Sequence, residues 1–282
     1  MAFSARFWGT RGSVPTPGES TARYGGNTSC MEVRCGDTIL IVDAGTGIRP
    51  LGRELERRGA RDLHLLMSHT HWDHIQGFPF FHSIYSASTK LNIYSPREWS
   101  VPASAIFCQQ MESPYFPVLM EDVPAKLCFH QVTDEFRIGE VEITRHRLNH
   151  PGGCSAFRFE YMGKSLVYAT DHEPYVRLFG NLGLNRERDD SVRAFTRGAD
   201  LLVRDAQYTE EEYENHRGWG HGTFEDAAND AIEARVRRLA LFHHDPDHDD
   251  AFLESQLQAL HRFASSNLEI MMAREGHEVQ LA

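Results

Sequence analysis

Four metal-binding side chains, His69, His71, Asp73 and His74, lie within a run of six residues. The run directly follows the apolar stretch 63–67, which predicts a strand that delivers all four groups to one edge of a sheet. Imidazole and carboxylate groups suit zinc, and also manganese or iron, whereas thiolate is absent from the run. The pattern therefore argues against a closed four-cysteine structural site and predicts a catalytic metal centre.

Three other strand-like segments also end at residues that bind metals: 141–149 at His150, 165–170 at Asp171, and 239–242 at His243 and His244. Open α/β sheets place their functional groups at the ends of strands in this way. We therefore expect these side chains to join the first cluster in one centre.

The ordered set resembles the metallo-β-lactamase fold family, and more closely its ribonuclease Z-like phosphodiesterase branch. The stretches that carry the resemblance are 7–16, 69–74, 168–171, 220–223 and 241–243. The resemblance implies an α/β fold, namely an αββα sandwich of two mixed sheets flanked by helices, with a dinuclear metal site at one sheet edge. It also implies one domain over residues 1–282.

The resemblance further implies two divalent ions, with zinc expected first and manganese or iron as alternatives. The ligands carried over are His69, His71 and His150 for one ion, Asp73, His74 and His243 for the other, and Asp171 as a bridge between them. His244 competes with His243 for the last place, and His243 is preferred because it follows the apolar run directly. His146 lies inside a strand-like run and is left out.

Such a centre would do hydrolytic chemistry. Two divalent ions about 3.5 to 4 Å apart hold a bridging hydroxide at neutral pH and polarise phosphoryl oxygens. The resemblance makes His221 the general acid for the leaving group, with Asp205 as a weaker candidate to orient it, while Asp73 could accept the proton of the attacking water. Asp43 resembles the family's acid beside the metal cluster, although a plain helix-entry aspartate is an equally good interpretation.

The expected substrate depends on the distance between two ligands. A transfer-RNA 3′-processing enzyme of this family carries an extended arm between the positions of His150 and Asp171, but only 20 residues separate them here. That length suits two short strands and a turn. The sequence therefore predicts a phosphodiesterase for a small substrate, first of all a cyclic mononucleotide. The alternatives are a ribonuclease Z-like RNA 3′-processing endonuclease and a thioester or lactone hydrolase.

Charge and composition bear on the partners. The formal net charge of −11 argues against binding of long nucleic acid through its phosphates. Arg11, Arg23 and Arg49 are candidates for one or two phosphate contacts, and a solvated surface arginine is the alternative for each. No apolar stretch approaches the roughly 20 residues of a membrane span. Five scattered cysteines and the absence of an apolar signal core predict a reduced, cytoplasmic protein.

The segment 82–135 is the least regular part of the chain. Within this segment, residues Ser113 to Val118 include two prolines and two aromatic residues, and this composition predicts a lid or a homodimer contact. Tyr115 and Phe116 would stack on a base.

Regular elements are expected elsewhere. The opening predicts antiparallel hairpins, and a first helix from about Ile48 to Arg58 that ends at Gly59. Later helices are expected at 226–237, after Thr223 as N-cap, and at 250–263, with two short strands within 265–281.

Overall fold

The computed structural model describes residues 2–263 and 268–282. Its strands are β1 (Phe3–Gly9), β2 (Cys30–Cys35), β3 (Thr38–Val42), β4 (Asp62–Leu66), β5 (Lys90–Pro96), β6 (Lys126–Val132), β7 (Glu135–Ile138), β8 (Val141–Leu148), β9 (Cys154–Tyr161), β10 (Lys164–Ala169), β11 (Leu201–Asp205), β12 (Arg238–Phe242), β13 (Glu269–Met272) and β14 (Glu278–Gln280). Its α-helices are α1 (Ile48–Arg57), α2 (Trp72–Ile75), α3 (Ala103–Gln110), α4 (Tyr175–Phe179), α5 (Gly183–Thr196), α6 (Glu210–His216), α7 (Phe224–Glu233) and α8 (Asp250–Phe263).

The strands form two mixed sheets of seven strands each. One has the order β14-β1-β2-β3-β4-β5-β6 and the other the order β13-β12-β11-β10-β9-β8-β7. In each sheet one half is antiparallel and the other half parallel. The antiparallel opening of β1, β2 and β3 confirms the predicted hairpins.

The inner strands bury apolar residues on both of their faces. In β3, Leu40 and Val42 belong to the core between the sheets, whereas Ile41 packs with α1 on the outer face. In β11, Val203 faces the inner core and Leu202 packs with the helices of the other outer layer. Side chains of a strand alternate between faces, so strands covered on both sides read as continuous apolar runs. The result is the predicted αββα sandwich.

The direction of the strands brings the functional groups together. Strands β3 and β4 are parallel, and so are β10, β11 and β12. Strand β8 runs in the same direction as β10, because each is antiparallel to β9. The carboxyl ends of β8, β10, β11 and β12 therefore lie at one edge of their sheet.

Several element boundaries differ from the sequence expectations. Helix α1 ends at Arg57, one residue early, and α7 covers Phe224–Glu233 rather than 226–237. The predicted N-cap of α7 is confirmed: the Thr223 side chain accepts a hydrogen bond from the Asp226 amide. Of the expected closing strands, residues 265–267 lie outside the described part. None of the helices in the described part has the length and apolar character to span a membrane.

Candidate metal centre

The histidines and aspartates predicted as ligands meet at the common edge of the strands. His71 Nδ1 lies 2.9 Å from His150 Nε2. These two residues form one group with His69. In the second group, which contains Asp73, His74 and His243, His74 Nε2 lies 3.3 Å from His243 Nε2, and His243 Nε2 lies 2.9 Å from Asp73 Oδ2. These contacts join residues that are far apart in the sequence.

Asp171 lies between the two groups. Its Oδ2 is 3.5 Å from His69 Nε2 and 3.6 Å from His150 Nε2. The same carboxylate approaches the other group, with 3.5 Å to the Nε2 atoms of both His74 and His243. This is the position that a bridging carboxylate requires.

The donor atoms fit a pair of divalent cations. The buried Nε2 of His69 has no hydrogen-bond partner among the described residues. In each group two imidazole nitrogens face one another, and their lone pairs would repel unless a cation or a proton lay between them. Nitrogen and carboxylate oxygen are the ligands that zinc, manganese and iron accept.

The electrostatics of the cluster favour the same conclusion. Burial lowers the pKa of His69 well below its ordinary value and that of His150 to about 4, so both are neutral donors at pH 7. Burial opposes ionisation of Asp73 and Asp171, yet the imidazoles around them hold the pKa of both carboxyls well below the usual range. Burial would lower the pKa of His74, but the surrounding carboxylates raise it well above normal. The carboxylates thus require a cationic partner.

Three residues of the centre have left-handed backbone conformations within two residues of a strand end. The φ angles are 63° at Asp43, 55° at Asp171 and 61° at His243. Such conformations cost of the order of 1 to 3 kcal/mol each and persist only where the surroundings enforce them. Here they turn each side chain towards the cluster as the strand ends.

Asp43 holds the metal-facing residues in place. Its carboxylate accepts hydrogen bonds from the Ser68 amide at 2.8 Å, from the Ser68 hydroxyl at 2.7 Å and from the Tyr168 hydroxyl at 2.9 Å. It also contacts His74 Nδ1 at 2.8 Å. The following helix begins at Ile48, and its N-cap residue Gly47 provides no side-chain cap, so the structure favours the orienting role of Asp43 over that of a helix-entry residue.

We expect Asp43→Asn to weaken metal binding about 10- to 100-fold, the usual effect of losing a group that orients a metal-bound histidine. The amide keeps the size of the carboxylate but loses the charge that fixes His74. Titration against a metal-sensitive dye would measure the affinity. An unchanged affinity in a folded variant would show that Asp43 has only a structural role.

Backbone groups and close glycine contacts complete the support of the ligands. The Ser13 amide donates to Asp73 Oδ2 at 2.8 Å, and the Gly220 carbonyl lies 3.0 Å from His150 Nδ1. A Cβ atom on Gly12 would come within 2.4 Å of the His243 ring. Glycine is therefore required at position 12 for the close approach of this loop to His243.

The adjacent residues His243 and His244 make different contacts. His243 Nδ1 faces Gln207 Oε1 at 3.1 Å, so its Nε2 is directed at the cluster. His244 Nε2 instead contacts the carbonyl of Ala273 at 2.9 Å. His146 stacks on Phe195, outside the centre. The geometry agrees with the preference for His243 and with leaving out His146.

His221 lies beside the cluster at the entrance of α7. Its ring is 5.1 Å from that of His150 and 4.9 Å from that of His243. Its Nδ1 is 3.2 Å from Asp205 Oδ2, which leaves Nε2 as the nitrogen available to a substrate. Thus Asp205 has the orienting position expected of it.

Comparison with known proteins agrees with this arrangement. The model of the beta-lactamase superfamily domain matches residues 38–244, which is most of the chain. The chain belongs to the metallo-β-lactamase superfamily. Ribonuclease Z of Clostridium novyi (strain NT) is 24% identical over 278 residues, covering 84% of this chain and 87% of the relative.

Solved structures show the same fold. The metallo-β-lactamase fold protein YhfI from Bacillus subtilis has a TM-score of 0.71 at 20% identity, with 99% of each chain covered. The short form of human tRNase Z has a TM-score of 0.66 at 19% identity, also with 99% of each chain covered. Membership of the superfamily, together with the histidine and aspartate groups, indicates that the protein binds divalent metal.

Tyr115 and Phe116, the aromatic residues predicted to stack on a base, lie outside the cleft beside His71. Tyr115 is 78% exposed, and Phe116 packs edge-on against Phe80 with ring centroids 5.4 Å apart. Neither lines the cleft beside His71, where the aromatic residue is Trp99. The lid or dimer contact at 82–135 stays a prediction.

The three candidate phosphate-binding arginines have other surroundings. Arg11 is completely buried and donates to the carbonyls of Gly25 and His248, so neither a phosphate contact nor a solvated surface position describes it. Arg23 forms an ion pair with Glu254 at 2.9 Å. Arg49 lies in a separate surface cleft.

Proposed function

We propose that the protein is a metal-dependent phosphodiesterase that cleaves an RNA phosphodiester. The observation that carries the proposal is the pair of histidine and aspartate groups joined by Asp171, with His221 beside them. Such a site has the features needed for hydrolysis of a phosphodiester, namely cation ligands and an acid for the leaving group.

The proposed ligand assignment follows the two groups. His69, His71 and His150 would hold one ion, and Asp73, His74 and His243 would hold the other, with Asp171 as a ligand available to both. Two bound divalent ions supply an activated water and neutralise the charge on the phosphoryl oxygens.

In this proposal His221 protonates the leaving oxygen. The Asp205 carboxylate lies 3.2 Å from Nδ1 of His221 and orients the ring so that Nε2 is available to the leaving oxygen. Asp73 contacts His243 and the Ser13 amide through the same Oδ2, so its other oxygen is available to accept a proton from the attacking water. The leaving alkoxide thus departs as an alcohol.

The relatives support an RNA substrate more than the cyclic mononucleotide expected from the sequence. The relative from Clostridium novyi, which is similar over 84% of this chain, is named ribonuclease Z. A second ribonuclease Z, from Haloferax volcanii, is 27% identical over 86% of the chain. The net charge of −11 is a weaker argument against RNA than the sequence alone suggested, because the exposed Arg147 lines the cleft beside His71.

A small phosphodiester remains the second candidate because of one structural feature. Between His150 and Asp171 the chain forms only a short turn and the hairpin of β9 and β10. This confirms the expected two strands and a turn, and it offers no extended arm within that interval. Substrate size therefore has to be measured.

The decisive experiment compares substrates with the metal-loaded protein. We expect faster cleavage of an RNA acceptor stem with a short 3′ trailer than of cyclic mononucleotides, and a rate that falls steeply with salt because several phosphates are contacted. Faster hydrolysis of a cyclic mononucleotide, with weak salt dependence, would favour the second candidate. Cleavage of a thioester or lactone but of no phosphodiester would refute both.

A further inference from the structure

A cleft of about 430 Å³ opens beside the metal ligands His69 and His71. One wall is apolar and is formed by Trp99, Val101 and Ile106. The lining also includes Arg145 and Arg147 of β8, Glu98 and the turn 151–153. A cleft that combines possible cation ligands with apolar side chains and arginines suits a nucleotide.

The two arginines of this cleft are in different electrostatic states. Arg145 forms ion pairs with Glu98 and Asp134, the latter at 2.6 Å, and its side chain is 7% exposed. Arg147, two residues further along β8, is exposed and has no ion pair or side-chain hydrogen bond with any other residue of the described part. The positive charge available to a ligand is therefore that of Arg147.

The turn 151–153 connects this free charge to the metal ligands. A Cβ atom on Gly152 would lie 3.9 Å from His71 Nε2, and a Cβ atom on Gly153 would lie 3.5 Å from Arg147 Nη2. Consecutive Cα atoms are about 3.8 Å apart, so the ligand imidazole and the guanidinium border the same short piece of backbone. Because both residues are glycine, no side chain fills the cleft between them.

We propose that Arg147 binds the phosphate next to the scissile one, while the wall of Trp99, Val101 and Ile106 covers the nucleoside between the two phosphates. This inference rests on the proposed function and specifies its substrate as a phosphodiester with a neighbouring phosphate. A cyclic mononucleotide has one phosphate and cannot use Arg147. The residue thus determines specificity for an oligonucleotide.

The test uses two pairs of p-nitrophenyl esters. One pair is the ester of thymidine 5′-phosphate with and without a 3′-phosphate, and the other is the ester of thymidine 3′-phosphate with and without a 5′-phosphate. In at least one pair the added phosphate should lower KM about 10- to 100-fold, the usual effect of a hydrogen-bonded charge pair. Arg147→Ala should abolish this difference through KM rather than kcat, and Arg147→Lys should retain part of it.

Arg53→Ala is the matched control, since Arg53 is an exposed arginine on α1 outside this cleft. It should leave the difference unchanged. Calorimetric binding of thymidine 3′,5′-bisphosphate and thymidine 5′-monophosphate gives a readout without turnover. If the preference for the second phosphate survives in Arg147→Ala, or is absent in the wild type, the inference is overturned. Failure to hydrolyse these esters and the RNA substrate alike would refute the proposed function alone, because the binding ratio still tests Arg147.

Discussion

Replacing Asp171 by asparagine is expected to reduce the metal content of the purified protein from about two ions per chain to less than one. The carboxylate lies within about 3.6 Å of imidazole nitrogens from both groups, so its charge stabilises cations in each. Asparagine tolerates the left-handed backbone at this position, where φ is 55°, so the fold should survive. Elemental analysis of the purified protein measures the content.

The neighbouring histidines provide an internal control for this experiment. His243→Ala should lose mainly one ion, because its Nε2 lies beside Asp73, His74 and the shared Asp171 and is not grouped with His69, His71 and His150. His244→Gln should retain both ions, since His244 contacts the Ala273 carbonyl instead. Full occupancy in a folded Asp171→Asn variant would disprove the bridging role, and loss of metal from His244→Gln alone would reassign the last ligand.

Removing the imidazole of His221 should lower kcat about 10²- to 10⁴-fold on a substrate with an alkoxide leaving group. The physical reason is that an alkoxide must be protonated as it departs, whereas a p-nitrophenolate barely needs a proton. The loss on bis(p-nitrophenyl) phosphate should therefore be much smaller. Steady-state rates of His221→Ala on both substrates check this expectation.

Metal content must be measured for the same variant, because a nitrogen of His221 lies within 4.8 Å of potential ligand atoms of His150 and Asp171. Normal metal content with a selective loss on the alkoxide substrate supports the role of general acid. Equal losses on both substrates would contradict that role. A fall in metal content would instead identify His221 as a ligand.

Much of the centre could be predicted from the sequence because its signals are local. An apolar run followed by a ligand-type residue predicts a strand end, and this succeeded for the residues after β4, β8, β10 and β12. The preference for His243 over His244 rested on the same local signal, and the structure agrees with it. Because the carboxyl ends of parallel strands meet at one edge of a sheet, the residues at these ends can be predicted to lie close together.

The surroundings of the ligands required the tertiary structure. No local pattern shows that Asp43 contacts both Ser68 and Tyr168, or that the Gly220 carbonyl orients His150. The sequence likewise suggested a surface position for Arg11, which long-range packing buries against backbone carbonyls. These contacts join residues far apart in the chain, and only sheet pairing and layer packing determine them.

The position of the cleft beside His71 depended on tertiary structure most of all. Proline and aromatic content directed attention to Tyr115 and Phe116, since loops with a fixed shape often carry specificity. The cleft beside His71 is instead lined by Trp99 and Arg147, which come from separate elements and show no motif. Residue types and strand ends determine which chemistry a chain can perform. Packing of the two sheets and their loops decides which side chains face the reacting group, because a cleft forms between surfaces that are distant in the sequence.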